Sequence, residues 1–285
     1  MKTAKASRGC TNAGCTGEEM KIPLGKSKMK IFFLGTNGWF ATRTGNTVCA
    51  AIKAKDRLIV LDAGDGFQHI PSLLSRLHLS QADVFLSHLH IDHASGLHTL
   101  PRMPLGMRVR IFVHKSYLPA LRCLLAHPYT ASPSEQFAKV TLHPFSTGEN
   151  RLPYIVRALP LDHADPCFGF RFSIGGTEIA YCTDTGPCKN ISLLARGADA
   201  LITECSLLPG SALLKWWPHL SPEMAAHEAA ASGAARLILT HFDANKYPSL
   251  ALRKAAQIAA RKIFLRTIAA KDGMRVLLPS LKVKK

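Results

Sequence analysis

The sequence predicts an α/β (α+β) fold in which two sheets pack face to face and helices cover their outer sides. Three observations lead there. Short apolar runs alternate along the chain with stretches of helical periodicity. Several of those runs end in His, Asp or Glu, so the chemistry collects at the C-terminal edges of strands. Finally, 47% of the 285 residues are apolar, which is enough for a sizeable core. No apolar run approaches the ~20 residues of a membrane span, so no membrane partner is expected.

The totals narrow the partners. The net charge is +17, from 36 Lys+Arg against 19 Asp+Glu, and such a balance favours anionic partners, whether a small substrate or RNA. The N-terminus is basic but leads into Gly, Cys, Thr and Asn, not the apolar stretch of a secretory signal. The expected compartment is therefore the cytoplasm, with the eight cysteines as reduced thiols. Residues 1–28 lack periodicity and read as a flexible basic arm, ahead of a single domain over 29–285. Within that arm, Cys10 and Cys15 are spaced more loosely than in common zinc knuckles.

Taken in order, Met29–Leu34, Asn46–Lys53 and Leu58–Leu61 read as strands of a β-meander. The third ends in Asp62-Ala-Gly64; an acid flanked by glycine is often only a turn. Phe67–Leu79 carries Ile70, Leu73, Leu74 and Leu77 on one helical face. The buried strand Ala82–Leu86 then delivers the most informative stretch, Ser87-His88-Leu-His90-Ile-Asp92-His93. Alternation sends His88 and His90 to one side of an extended backbone, where both reach one cation. Asp92 and His93 follow at the strand end and can serve a second. A chance match to H-x-H-x-D-H is expected on the order of once in a thousand chains of this composition.

Beyond it, Val109–Val113, Lys139–His143 and Tyr154–Leu159 read as strands, and Tyr117–Leu125 as a helix. Asp162-His163 precedes Phe168-Gly-Phe-Arg171, and strand Thr177–Cys182 leads into Asp184. Strand Ala198–Thr203 ends in Glu204. Trp216-Trp217-Pro-His219 precedes a helix over Pro222–Ser232, with Ser221 as N-cap and Gly233 as stop. Strand Arg236–Thr240 leads into His241, helix Leu250–Lys262 follows, and Arg275–Leu278 closes the sheet. The Trp216-Trp217 pair is a candidate patch for a homodimer contact.

His88-x-His90-x-Asp92-His93 after a buried strand resembles the signature of the metallo-β-lactamase superfamily. The Asp62, His163/Phe-Gly-Phe-Arg171, Asp184 and Leu-Thr-His241-Phe segments resemble its ribonuclease Z-like and phosphodiesterase branch. That resemblance implies a four-layer αββα fold of two mixed sheets, and two divalent cations, zinc first with manganese or iron as options. It places His88, His90 and His163 on one cation and Asp92, His93 and His241 on the other, with Asp184 bridging. Asp62 would brace the metal loop by hydrogen bonds, Asp92 would accept the nucleophile's proton, and His219, oriented by Glu204, would protonate the leaving group. The implied activity is that of a metal-dependent hydrolase. His163 and Asp184 are only 21 residues apart, leaving no room for the tRNA-gripping arm that true tRNA 3′-processing enzymes of this branch insert there. A small or nucleotide-like phosphodiester is thus the first expected substrate. RNA cleavage by a ribonuclease Z-like endonuclease, or hydrolysis of a sulfate ester, lactone or thioester, are the alternatives.

Overall fold

A computed structural model describes residues 29–132, 138–214 and 216–278; the expected arm over 1–28, with Cys10 and Cys15, lies outside them. The first half of the chain forms β1 (Met29–Gly35), β2 (Asn37–Gly38), β3 (Cys49–Lys53), β4 (Leu58–Leu61), β5 (Gln81–Phe85), β6 (Arg108–His114) and β7 (Lys139–Phe145). The second forms β8 (Gly148–Arg151), β9 (Ile155–Pro160), β10 (Phe168–Ile174), β11 (Thr177–Cys182), β12 (Ala200–Glu204), β13 (Leu237–Thr240), β14 (Phe242–Asp243), β15 (Thr267–Ala269) and β16 (Arg275–Leu278). Helices are α1 (Ile70–Leu77), α2 (Ile91–Ala94), α3 (Leu118–Leu124), α4 (Lys189–Ala195), α5 (Pro222–Ser232) and α6 (Leu250–Arg261).

Two seven-stranded sheets result, in the orders β16-β1-β3-β4-β5-β6-β7 and β15-β13-β12-β11-β10-β9-β8, beside a two-stranded pair of β14 and β2. Each is mixed. The first is antiparallel from β16 to β4 and parallel from β4 to β7. The second is parallel from β15 to β11 and antiparallel from there to β8.

Strand parity explains the layers, because successive side chains leave a strand on opposite faces. Ile31, Phe33, Ile52, Ile59 and Leu61 of the first sheet meet Phe170, Phe172, Tyr181 and Ile202 of the second in one core between the sheets. The intervening Phe32, Ala51, Leu58 and Val60 face outward onto Ile70, Leu73 and Leu74 of α1. On the far side, Ala180, Leu201 and Leu239 pack against Leu194, Ala225, Ala229 and Ala256 of α4, α5 and α6. Each fully buried Leu, Ile or Phe contributes roughly 1.5–3 kcal/mol. The four-layer expectation is met.

Local departures have local causes. The helix expected from Phe67 starts as a 3₁₀ turn over Asp65–His69 and becomes α1 only at Ile70. Pro71 has no N–H for the Phe67 carbonyl, so the α ladder cannot extend back through it. The strand expected from Asn46 begins at Cys49, because Thr47 serves the neighbouring loop: its hydroxyl accepts from the Asp65 amide at 2.6 Å. Helix α5 forms as the capping residues foretell, with Ser221 Oγ accepting from the Met224 amide and Gly233 left-handed at φ 66°. Helix α4 is not expected from the sequence. Arg171 secures that helix by donating to the carbonyls of Leu194 and Arg196 at 2.7 Å each. No helix among the described residues is long and apolar enough to cross a membrane.

Candidate metal centre

Asp62 organises the edge at which the two sheets present their strand ends. This fully buried carboxylate accepts from the Ser87 amide at 2.7 Å, the Ser87 hydroxyl at 2.9 Å and the Tyr181 hydroxyl of the opposite sheet at 2.7 Å. It also accepts from His93 Nδ1 at 2.9 Å. Burial opposes its charge, but His93 and the donors outweigh burial and hold its pKa below the usual carboxylate value. The bond fixes the His93 tautomer and aims Nε2 into the site. Asp62→Ala is expected to strand these donors and cost on the order of 3–5 kcal/mol in denaturant unfolding.

The loops beyond β4, β5, β9, β11, β12 and β13 converge here. His88, His90 and His163 gather with Asp184; Asp92 and His93 gather with His241; Glu204 and His219 gather with Asp184. Within each group the nearest nitrogen and oxygen atoms lie within 4.8 Å of one another. Asp184 Oδ2 is central: it lies 3.2 Å from His88 Nε2, 3.2 Å from His93 Nε2, 3.7 Å from His163 Nε2 and 3.8 Å from His241 Nε2. Every residue singled out for the site in the sequence is thus brought together.

Two features of this donor set fit divalent cations. His88 is buried with its Nε2 near Asp184 but without an aligned hydrogen-bond partner, although Nδ1 meets Ser87 Oγ at 3.0 Å. His93 Nε2 and His241 Nε2 also face each other at 3.0 Å. Burial opposes charge on both rings, yet Asp92 and Asp62 raise the pKa of His93 and Asp184 raises that of His241. Imidazole and carboxylate donors converging in this way suit zinc, manganese or iron.

Electrostatics point the same way. Burial and the neighbouring His93 lower the His88 pKa to about 4, so this imidazole is neutral at neutral pH. Burial opposes the charge on Asp184, but His241, His88 and His93 hold its pKa well below the usual carboxylate value. Burial likewise works against charge on His219, yet the Glu204 carboxylate prevails and raises its pKa to about 9. His219 Nδ1 lies 2.8 Å from Glu204 Oε1. Glu204 is itself fixed by the amides of Thr185 at 2.6 Å and Leu220 at 3.2 Å.

Backbone strain marks the same loops. Among the described residues, non-glycine positions with positive φ are Trp39 (74°), Asp62 (56°), His78 (51°), Asp184 (57°) and His241 (48°). All but His78, which ends α1, belong to this centre, and strained backbone gathers at functional sites.

Several participants have no local signal. Asp165 accepts from His90 Nε2 at 2.8 Å. The short strands β2 and β14 pair in parallel and tie Gly38 to the His241 loop. Behind them Arg253 of α6, fully buried, donates to Thr36 Oγ1 at 2.7 Å and to Asn37 Oδ1. A Cβ on Gly38 would sit 2.5 Å from His241 Cε1. Gly38→Ala is therefore expected to displace the imidazole and weaken metal binding by roughly 10–100-fold while the protein stays folded, as read by metal titration. Above the cluster lies a cavity of about 370 Å³, bordered by Trp39, Asp184, Trp217, His219 and His241 among others. A second cavity of about 380 Å³, bordered by Phe112, Phe145 and Leu152, touches none of these groups.

Comparison with known proteins agrees with this geometry. The model of the beta-lactamase superfamily domain matches residues 57–242, a span that holds every residue of the cluster. A ribonuclease Z of a Nostoc species is 30% identical over 312 residues, covering 88% of this chain and 95% of that protein. A ribonuclease Z of a Synechococcus species is 28% identical over 311 residues, covering 87% of this chain and 96% of that protein. Because those 311 positions take in only 87% of the chain, the relative carries several dozen residues without a counterpart here. Among solved structures, the metallo-beta-lactamase fold protein YhfI from Bacillus subtilis superposes with a TM-score of 0.73 at 19% identity, over 88% of this chain and all of that one. By fold, by its His and Asp cluster and by these matches, the chain belongs to the beta-lactamase superfamily, as a ribonuclease Z-like, dinuclear metal-dependent hydrolase.

Proposed function

We propose that the chain hydrolyses phosphodiester bonds of RNA, in the manner that the name of its ribonuclease Z relatives describes. One observation carries this over the small-diester reading: the similarity to ribonuclease Z runs through nearly the whole of both chains, at 30% identity. The net charge of +17 suits a polyanion. The small-diester reading retains one observation of its own. Only Gly175 and Gly176 join β10 to β11, so no arm for gripping tRNA projects from that turn. The RNA would then be held near the scissile bond itself.

In this reading His88, His90 and His163 would hold one cation and Asp92, His93 and His241 a second, with Asp184 available to both. Zinc is the first candidate, with manganese or iron as alternatives. Such a pair would supply an acidified water, its pKa lowered to about 7, and positive charge to offset that of the attacked phosphate. Asp92 is poised to take the proton of the attacking water. Burial opposes its charge, but His93 and His241 keep it ionised, and its Oδ2 accepts from the Trp39 amide at 2.7 Å. His219 donates through Nδ1 to Glu204, which leaves Nε2 to protonate the departing oxygen. The outermost indole, Trp216, is 79% exposed and available to a second copy of the chain.

A panel of esters tests the proposal: a single-stranded RNA, a dinucleotide, bis-p-nitrophenyl phosphate, an aryl sulfate and a lactone, each with metal-replete protein. The RNA is expected to give the highest kcat/KM, with a KM that rises steeply between 50 and 300 mM salt as counterion release predicts. Turnover confined to the dinucleotide, with weak salt dependence, would establish the small-diester reading. Turnover confined to the sulfate or the lactone would remove phosphodiester chemistry altogether.

A further inference from the structure

The cavity over the metal cluster has an indole on two of its walls. Trp39 and Trp217 both border it, together with His90, His163 and His219. The two rings reach it by different means, and neither behaves as a core residue.

Trp39 has φ 74°, a left-handed backbone that a bulky side chain rarely adopts. A hydrogen bond from its backbone N–H to Asp92 Oδ2 holds the conformation. The strain delivers an indole that is 63% exposed, at the border of the cavity over the His and Asp cluster. A side chain kept for packing would be buried instead. Trp217 is half-buried and held by three neighbours, of which Trp216 stacks beside it with ring centroids 6.4 Å apart. It meets the His219 ring edge-on, with centroids 4.4 Å apart, and the Lys246 ammonium lies 3.8 Å from its centroid. Asp243 Oδ2 anchors that ammonium at 2.8 Å.

We propose that Trp39 and Trp217 are stacking platforms for unpaired bases on the two sides of the scissile phosphate. The site then takes single-stranded RNA in preference to duplex or to a phosphodiester without bases. The inference rests on the RNA reading above and names how the strand is held. Every base offers a π face, so stacking on an aromatic ring is strong and tolerant of sequence. A duplex hides those faces within its own stack. The Lys246 ammonium behind Trp217 adds positive charge beside a phosphate-bearing strand. The two platforms also supply, next to the scissile bond, grip that the short β10–β11 turn cannot.

All three tryptophans of the chain, Trp39, Trp216 and Trp217, lie in this region, so indole fluorescence reports on it directly. Metal-replete protein is mixed by stopped flow with triadenylate, or with an abasic ribose-phosphate trimer of the same charge, and the signal is read before turnover. Triadenylate is expected to quench the fluorescence and to bind more tightly than the abasic trimer. Trp39→Leu and Trp217→Leu should each weaken triadenylate binding by about 5- to 150-fold. Both should leave the abasic trimer and the metal per chain as they were, and Trp39→Phe and Trp217→Phe should restore part of the loss. Equal affinity for the two trimers in the parent chain would overturn the proposal, as would variants that weaken both trimers alike. Because the experiment reads binding and not cleavage, the two readings fail separately. Base-dependent binding without RNA hydrolysis would sink the functional reading alone. RNA hydrolysis with base-independent binding would sink the platforms alone.

Discussion

Asp184→Ala is expected to empty both halves of the metal centre and to have the largest effect of any single substitution. Its Oδ2 lies within 3.8 Å of an imidazole nitrogen on each of His88, His93, His163 and His241, and its Oδ1 lies 3.4 Å from His219 Nδ1. A carboxylate shared by two cations also offsets their mutual repulsion, so its loss weakens both at once. Metal per chain should fall from two towards zero in elemental analysis. Turnover should fall by well over the roughly 100-fold that removal of an outer hydrogen-bond partner costs a metal centre. If Asp184→Ala kept two ions per chain, the shared-ligand role would be wrong.

His219→Ala is expected to keep the metal and lose the chemistry. The ring sits 2.8 Å from Glu204, in neither of the two groups proposed to hold the cations. General acid help is worth about 10²–10⁴-fold, and that is the expected loss on RNA, whose leaving oxygen needs a proton. On bis-p-nitrophenyl phosphate the loss should shrink towards unity, because p-nitrophenolate leaves without one. Glu204→Gln should follow the same pattern more weakly, since it keeps the shape and removes the charge that holds the imidazolium. Equal losses on the two substrates would assign His219 to binding or positioning.

What was legible in the sequence was what depends on neighbours in the chain. His88, His90, Asp92 and His93 announce themselves because one strand end carries them all. Ser221, Pro222 and Gly233 mark α5 because capping is local chemistry. The lone His163, Asp184 and His241 were readable only by resemblance, as each is an ordinary turn residue until strands distant in sequence converge. The parts that escaped are those whose cause is distant. The β2–β14 pair joins Asn37-Gly38 to Phe242-Asp243, and no local pattern shows that two dipeptides will meet. Trp39 precedes Phe40 in what reads as an ordinary turn, yet its amide is claimed by Asp92 from across the site. Helix α4 is short and lacks a side-chain cap, and depends on Arg171 of another strand. Arg253 looks like one more basic residue on an amphipathic helix but is 1% exposed beneath the Gly38 loop. On substrate, the short His163–Asp184 interval points to a small diester, whereas similarity to ribonuclease Z over 88% of this chain favours RNA.

The central claim is that two cations in this cluster make the chain an RNA hydrolase. The most direct measurement removes the metal with a chelator and restores zinc stepwise, following ions per chain and cleavage of a single-stranded RNA in the same sample. The account predicts that cleavage disappears with the metal, stays low near one ion per chain and returns in full as the second binds. RNA cleavage that survives complete metal removal, or a two-ion protein that hydrolyses other esters but leaves RNA intact, would contradict it.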